Sequence, residues 1–277
     1  MYVDAPNQVI EAANGVRYAY RRCGPSGASP LVLLPHFRGT LDSWDPELVD
    51  AFAVERDVIA FDNAGVGLTT GRTCRTVLEL TADTLAFLDA LNVRQLDVLG
   101  YSMGGFTAQE LALLRPRSVR RLVLAATAPR GASGIHGYPD DVLAHLDFDR
   151  LGVQGYLYTF FNHTETSQRS GLEFVGRCIE REHDRDVPVP AAGRAAQYEA
   201  VVEWGIPGHA ALSRLAAVDH PAFVAGGDSD LVVPPRLLHL LAGSLPNARL
   251  KIYTDAGHGF LFQHQRQFSR DVLTFLR

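Results

Sequence analysis

Ser102 lies at the centre of Gly100-Tyr101-Ser102-Met103-Gly104, directly after the apolar run Leu96-Asp97-Val98-Leu99 and directly before a helix-like stretch, Phe106 to Leu114. A serine on a tight strand-to-helix turn has its hydroxyl thrust out of the sheet, and small glycines let strand and helix approach closely. The hydroxyl becomes a nucleophile when a base takes its proton, and an imidazole base needs a carboxylate to fix its tautomer and stabilise the imidazolium. Both partners stand downstream. His258, in Asp255-Ala256-Gly257-His258-Gly259-Phe260, follows the last predicted strand; of ten histidines, it alone combines a loop, flanking glycines and a position before the last helix. Asp228 and Asp230 lie in the loop after the preceding strand, Gly226-Gly227-Asp228-Ser229-Asp230-Leu231-Val232-Val233-Pro234. Met103 follows the serine at a helix start, where its N–H could hold a developing oxyanion. The chemistry this set could do is acyl transfer through an acyl-serine.

Such groups need a scaffold that brings distant loops together. Val9 to Ala13 and Val16 to Cys23 flank Asn14-Gly15, a dipeptide suited to the positive backbone angles of a two-residue hairpin turn. Short apolar runs follow at Leu31 to Leu34, Val58 to Phe61, Leu96 to Leu99 and Leu122 to Ala125, separated by helix-period segments such as Val77 to Leu91. The pattern resumes at Ala222 to Ala225 and Leu250 to Tyr253, with helices near Pro235 to Leu245 and Gln265 to Leu276. Alternation of this kind predicts crossover units and a mostly parallel, doubly wound α/β sheet, with Ser102, Asp230 and His258 each at the carboxyl end of a strand. Between about Pro129 and Arg194 the alternation gives way to Gly- and Pro-punctuated turns around short helical stretches, Tyr156 to Asn162 and Leu172 to His183. The expectation is a core of residues 1–128 and 195–277 with a helical lid, 129–194, inserted between its halves. The run Tyr156-Leu157-Tyr158-Thr159-Phe160-Phe161 would line a substrate pocket or form the lid's own packed core.

Composition removes several alternatives. A chain of 277 residues, 47% hydrophobic and 21% charged, can bury a large core. Its net charge of -5 offers no attraction to nucleic acid or an anionic membrane. Lys251 is the only lysine, so neither a P-loop lysine nor a Schiff-base lysine has a candidate near a suitable motif. Cys23, Cys74 and Cys178 are odd in number and fit no metal or redox spacing, the pattern of free thiols in a reducing compartment. No compact ligand set suggests a metal, and no dinucleotide fingerprint suggests a cofactor. No run approaches membrane-spanning length and the amino terminus lacks a signal pattern, so the expectation is a cytoplasmic protein acting on a small molecule, its oligomeric state left open.

With its G-x-S-x-G turn and the order Ser, Asp, His, the chain resembles the α/β-hydrolase family over nearly its whole length outside the lid. The resemblance implies that the acid stands three residues before a Val-Pro, which selects Asp230 and leaves Asp228 as a turn residue capping the loop. It also implies a second oxyanion donor from Pro35-His36-Phe37-Arg38-Gly39-Thr40, with Phe37 at the donor position beside Met103. Many relatives read His-Gly-aromatic-x-Gly there, whereas this chain has Pro35 in place of the histidine and His36 in place of the glycine. A positive backbone angle at His36 would carry a steric cost that glycine avoids. His36 and Arg38 would contact a polar or anionic substrate group, or the arginine faces outward and the histidine bonds within its own loop. Asp62-Asn63-Ala64-Gly65-Val66-Gly67 resembles a structural turn of the family, with Ala64 where arginine is common.

The activity this resemblance implies is hydrolysis of a small to medium apolar ester or lactone. The same equipment serves hydrolases of carbon-carbon bonds and cofactor-free haloperoxidases or perhydrolases. A member that binds its ligand without cleaving it is the reading from another class. Serine at position 102 argues against the branches with an aspartate nucleophile.

Overall fold

Leu31 to Leu34 have no contact with solvent, the mark of a parallel strand covered on both faces. The computed structural model describes residues 1–26, 29–135, 137–146 and 151–277. Its strands are β1 (Gln8–Glu11), β2 (Arg17–Cys23), β3 (Leu31–Leu34), β4 (Val58–Phe61), β5 (Leu96–Tyr101), β6 (Val119–Ala125), β7 (Ala222–Gly227) and β8 (Ala248–Tyr253). They form one sheet in the order β1-β2-β4-β3-β5-β6-β7-β8. β2 runs antiparallel to both neighbours, and every other pairing is parallel.

The period of two along the strands sends alternate residues to opposite helix layers. Leu31 and Leu33 pack with Leu48, Val49 and Phe52 of α1 (Pro46–Ala53), and on that face lies the C-terminal helix with Phe268 and Val272. Val32 and Leu34 pack on the other face with Phe87 and Leu88 of α2 (Val77–Ala90), and with Ala108, Leu111 and Ala112 of α3 (Met103–Leu114). Thr76 starts α2 in a reciprocal cap, its hydroxyl accepting the Glu79 N–H while the Glu79 carboxylate accepts the Thr76 N–H. The expected doubly wound α/β sheet is therefore present.

The first hairpin is built differently from expectation. Of Asn14-Gly15 only the glycine has a positive φ, 76°, and the bonds Ala12 N–H to Val16 O and Gly15 N–H to Ala12 O, both 2.9 Å, close a three-residue loop rather than a two-residue one. Asn14 acts through its side chain, whose Oδ1 accepts the Val16 N–H at 3.2 Å.

Between β6 and β7 the chain forms α4 (Asp140–His145), α5 (Val153–Phe160), α6 (Glu165–Cys178), α7 (Ala191–Trp204) and α8 (His209–Ser213). α7 continues unbroken through Arg194, where the sequence reading ends the insertion. α6 begins seven residues before the expected Leu172, because Thr164 caps it by accepting the Ser167 N–H at 3.2 Å. Most of the aromatic run is packed: Tyr156 stacks on Phe160 with ring centres 4.0 Å apart, and Phe160, Phe161 and Phe174 join the core on the α1 face. After β7 come α9 (Pro235–Ser244), α10 (Phe260–Gln263) and α11 (Gln265–Phe275). Among the described residues no helix is long and apolar enough to cross a membrane.

Candidate active site

The turn from β5 into α3 is strained at one residue. Ser102 has φ 54° and ψ −119°, which costs a non-glycine residue about 1–3 kcal/mol unless its surroundings impose it. They do so through three hydrogen bonds. Ser102 N–H donates to the Ala125 carbonyl at 2.9 Å, while its own carbonyl accepts the Gly105 N–H and the Thr127 hydroxyl, each at 2.8 Å. The close approach explains the flanking glycines, since a Cβ on Gly100 would fall 2.4 Å from the Gly104 carbonyl oxygen and one on Gly104 only 2.1 Å from that of Leu34.

The three widely separated residues meet. His258 Nε2 lies 2.9 Å from Ser102 Oγ, and His258 Nδ1 lies 2.8 Å from Asp230 Oδ2. All three side chains are buried. A carboxylate can only accept, so Nδ1 carries the proton and the Nε2 lone pair faces the serine hydroxyl. Asp230 is itself fixed, its Oδ1 accepting the N–H groups of Val232 and Val233 at 2.8 Å each. Asp228 does not touch the imidazole. Its carboxylate accepts from Asp255 N–H at 3.0 Å and Ala256 N–H at 3.2 Å, bracing the loop that carries His258. Partial burial works against its ionisation, but bonds from Ala256, Ser229 and Asp255 prevail and hold its pKa below the ordinary value. The same loop is held by Tyr101, whose hydroxyl donates to the His258 carbonyl at 3.1 Å, and by the end of α5, where the Phe160 carbonyl accepts the Gly259 N–H at 2.6 Å.

The loop after β3 resolves the question raised by His36. The left-handed residue is Arg38, φ 63°, not His36, so replacing glycine at position 36 imposes no backbone penalty there. Gly39 N–H closes the turn onto the His36 carbonyl at 2.9 Å. Arg38 N–H donates to Oε1 of Gln197, a fully buried side chain on α7, at 2.9 Å. Among the described residues, neither Phe37 N–H nor Met103 N–H donates to a protein acceptor. Gln197 escaped the sequence reading: a glutamine within a helix has no signature that ties it to a loop 159 residues away.

His36 is buried against Tyr101 and Phe160, with ring centres 4.9 and 5.6 Å away, and its Nδ1 edge lies over Gly39. Burial, then the charges of His258 and Arg38, push its pKa down to about 3, so it is a neutral ring at ordinary pH. The cleft above Ser102 is lined by His36, Phe37, Phe160 and His258, with Phe106 and Val201 among its apolar walls. Arg38 lines a neighbouring cavity instead. Among the described residues no group of three or more His, Cys, Asp or Glu could hold a metal ion, and the three cysteines are unpaired. What these groups can do together is pass a proton from a hydroxyl to an imidazole and receive negative charge on two backbone N–H groups.

The chain is similar to an alpha/beta hydrolase fold protein from Chitinophaga pinensis, with 37% identity, a TM-score of 0.93, and coverage of 99% of this chain and 98% of that one. It is 31% identical to a poly(3-hydroxyalkanoate) depolymerase of Ectopseudomonas oleovorans over 99% of this chain and 91% of that protein. It is 29% identical to a 2-hydroxy-6-oxononadienedioate/2-hydroxy-6-oxononatrienedioate hydrolase of Burkholderia vietnamiensis, covering 97% and 94% respectively. Residues 29–265 match the family model described as alpha/beta hydrolase fold. With the eight-stranded sheet and the meeting of serine, imidazole and carboxylate at its strand ends, these matches make the chain a member of the α/β-hydrolase fold family.

Proposed function

We propose that the protein is a serine hydrolase that cleaves a carboxylic ester through an acyl-serine intermediate, and that the helices between β6 and β7 form its lid. The observation that carries this reading is the unbroken hydrogen-bonded chain Asp230–His258–Ser102. As Ser102 Oγ attacks the carbonyl carbon, its proton passes to His258 Nε2 and the carbonyl π electrons move to oxygen. The N–H groups of Phe37 and Met103 hold that oxyanion, and Asp230 stabilises the imidazolium. The carbonyl reforms as the ester C–O bond breaks, and the imidazolium gives its proton to the leaving alkoxide. Water, deprotonated by the same imidazole, then releases the carboxylic acid and restores the hydroxyl.

The test is incubation with a fluorophosphonate, followed by mapping of the adduct: modification of Ser102 and loss of ester turnover are expected, and a reactive probe that leaves Ser102 untouched refutes the reading. A second reaction, hydrolysis of a carbon-carbon bond, is favoured by the Burkholderia vietnamiensis relative, whose name describes a hydrolase of that substrate type. A vinylogous diketone assayed beside simple esters separates the two.

A further inference from the structure

The cleft above Ser102 is the tighter of two adjoining voids in the conformation described. The centres of water-sized spheres have about 30 Å³ of room there. A second void of about 420 Å³ adjoins it, within the size range of small-molecule sites. Among the described residues the two share only His36 and Phe37. The turn that carries the Phe37 N–H is thus a partition with Ser102 on one side and the larger room on the other.

That room is apolar on its inner walls, where Tyr156, Phe174 and Val175 face it, and Ile179 at its edge remains 59% exposed. The carboxylate at its margin, Asp42, is bridged by the buried Arg21 at 2.6 Å, so its charge is offset from within the protein. The shared ring of His36 is uncharged at ordinary pH. Arg38 and Arg185 also line the room, Arg185 at 3.9 Å from Asp42, and an apolar chain that crosses the partition would pack on Tyr156, Phe174 and Val175.

Proton transfer decides which end of an ester could cross. The leaving alkoxide must take its proton from His258, and His258 lines the small cleft but not the larger room. The alcohol stays on the His258 side, and the acyl arm is the one free to extend. Resting on the acyl-serine reading above, we propose that the second void is the acyl site and that the substrate is an open-chain ester of a medium-length apolar carboxylic acid with a small alcohol. A small lactone ties both arms into one ring and cannot occupy the two sides of the partition.

The experiment uses two series of alkyl esters, one lengthening the acyl chain of a methyl ester from acetate through butyrate to octanoate, the other lengthening the alcohol of a fixed acetate. In the first series kcat/KM should climb by up to roughly fourfold per added methylene until the room is filled, and in the second it should stay flat or fall. Val175→Trp fills the inner wall. Ile179→Trp, at an exposed position where folding is not at stake, narrows the edge. Each should lower the octanoate-to-acetate ratio of kcat/KM by roughly tenfold or more. Octanoate binding to Ser102→Ala protein, read by calorimetry, should weaken in the same two backgrounds. An unchanged ratio in both tryptophan variants, or length dependence confined to the alcohol series, overturns the acyl site. Absence of both ester turnover and Ser102 labelling instead removes the acyl-serine reading, a failure that the calorimetric comparison keeps distinct.

Discussion

Replacing Gln197 with methionine tests whether a side chain on α7 sets the geometry of the loop after β3. Gln197 is fully buried and its Oε1 accepts the Arg38 N–H at 2.9 Å. Methionine preserves the length of the side chain and removes the acceptor, leaving a partly buried N–H without its partner, a loss of up to about 1–3 kcal/mol. Arg38, held at φ 63°, is the residue with most to gain from relaxation, since the left-handed conformation costs about 1–2 kcal/mol for a residue with a Cβ. Relaxation at Arg38 re-aims the Phe37–Arg38 peptide and, through Phe37, shifts the preceding His36–Phe37 peptide, which carries the Phe37 N–H. The upper bound is the loss of one oxyanion donor, about 2.7–4 kcal/mol or roughly a hundredfold to a thousandfold in kcat. The lower bound is the desolvation cost alone, roughly twofold to tenfold if half of it is relieved by movement of the loop. Steady-state hydrolysis of methyl butyrate should show a fall in kcat between those bounds, with KM altered by less than roughly threefold, because the interaction acts on the transition state. Gln197→Glu keeps an acceptor and should retain most of kcat. A folded methionine variant, verified by circular dichroism, with kcat within roughly twofold of the parent would refute the reasoning, as would a loss expressed wholly in KM.

The two aspartates after β7 should separate cleanly: Asp230→Asn is expected to lower kcat by roughly 10⁴-fold through loss of the correct imidazole tautomer, whereas Asp228→Asn, which weakens only the bracing of the 255–256 loop, should cost far less, and stopped-flow assay of the two variants checks the order. His36 has a depressed pKa of about 3 in the folded chain against 6.5 unfolded, so its contribution to stability is present above pH 6.5 and is lost as pH falls toward 3. Urea titrations at descending pH should show His36→Gln losing less stability than the parent, the difference growing by up to about 1.4 kcal/mol per pH unit below 6.5. Asp62 and Asp186 both have carboxyl pKa values raised, by burial first and then by neighbouring carboxylates. The folded state holds protons that the unfolded state releases, and stability falls as pH rises from the unfolded value through the raised one. Asp186→Asn should therefore raise the midpoint of thermal unfolding at neutral pH by a few degrees, for a gain of about 1 kcal/mol, and flatten its decline with pH.

Elements decided by burial on both faces were legible in the sequence. The runs Leu31 to Leu34 and Val58 to Phe61 coincide end to end with β3 and β4, because Pro30 and Pro35 bound the first and Asp57 and Asp62 the second, leaving little freedom in where either strand stops. The meeting of Ser102, Asp230 and His258 was legible too, since an alternating strand-helix order delivers loops to one edge of the sheet. What the sequence concealed depends on single long-range contacts. The positive angle after β3 falls on Arg38 rather than His36, and that choice is coupled to Gln197, which arrives from a different part of the chain. The start of α6 was concealed by a mostly polar first turn, where only the Thr164 cap marks the boundary.

The bond from the Phe160 carbonyl to the Gly259 N–H makes the end of α5 a structural neighbour of the imidazole, and Gly257 leaves it no slack, since a Cβ there would lie 2.8 Å from the same oxygen. The helical insertion is consequently not an interchangeable module. A chimera that exchanges residues 129–194 for those of another family member will displace His258 unless the graft reproduces the path of α5 at Phe160. Recombination that treats Phe160 and residues 257–259 as one inherited unit preserves the geometry, and gene-shuffling libraries cut between them should be depleted of active clones.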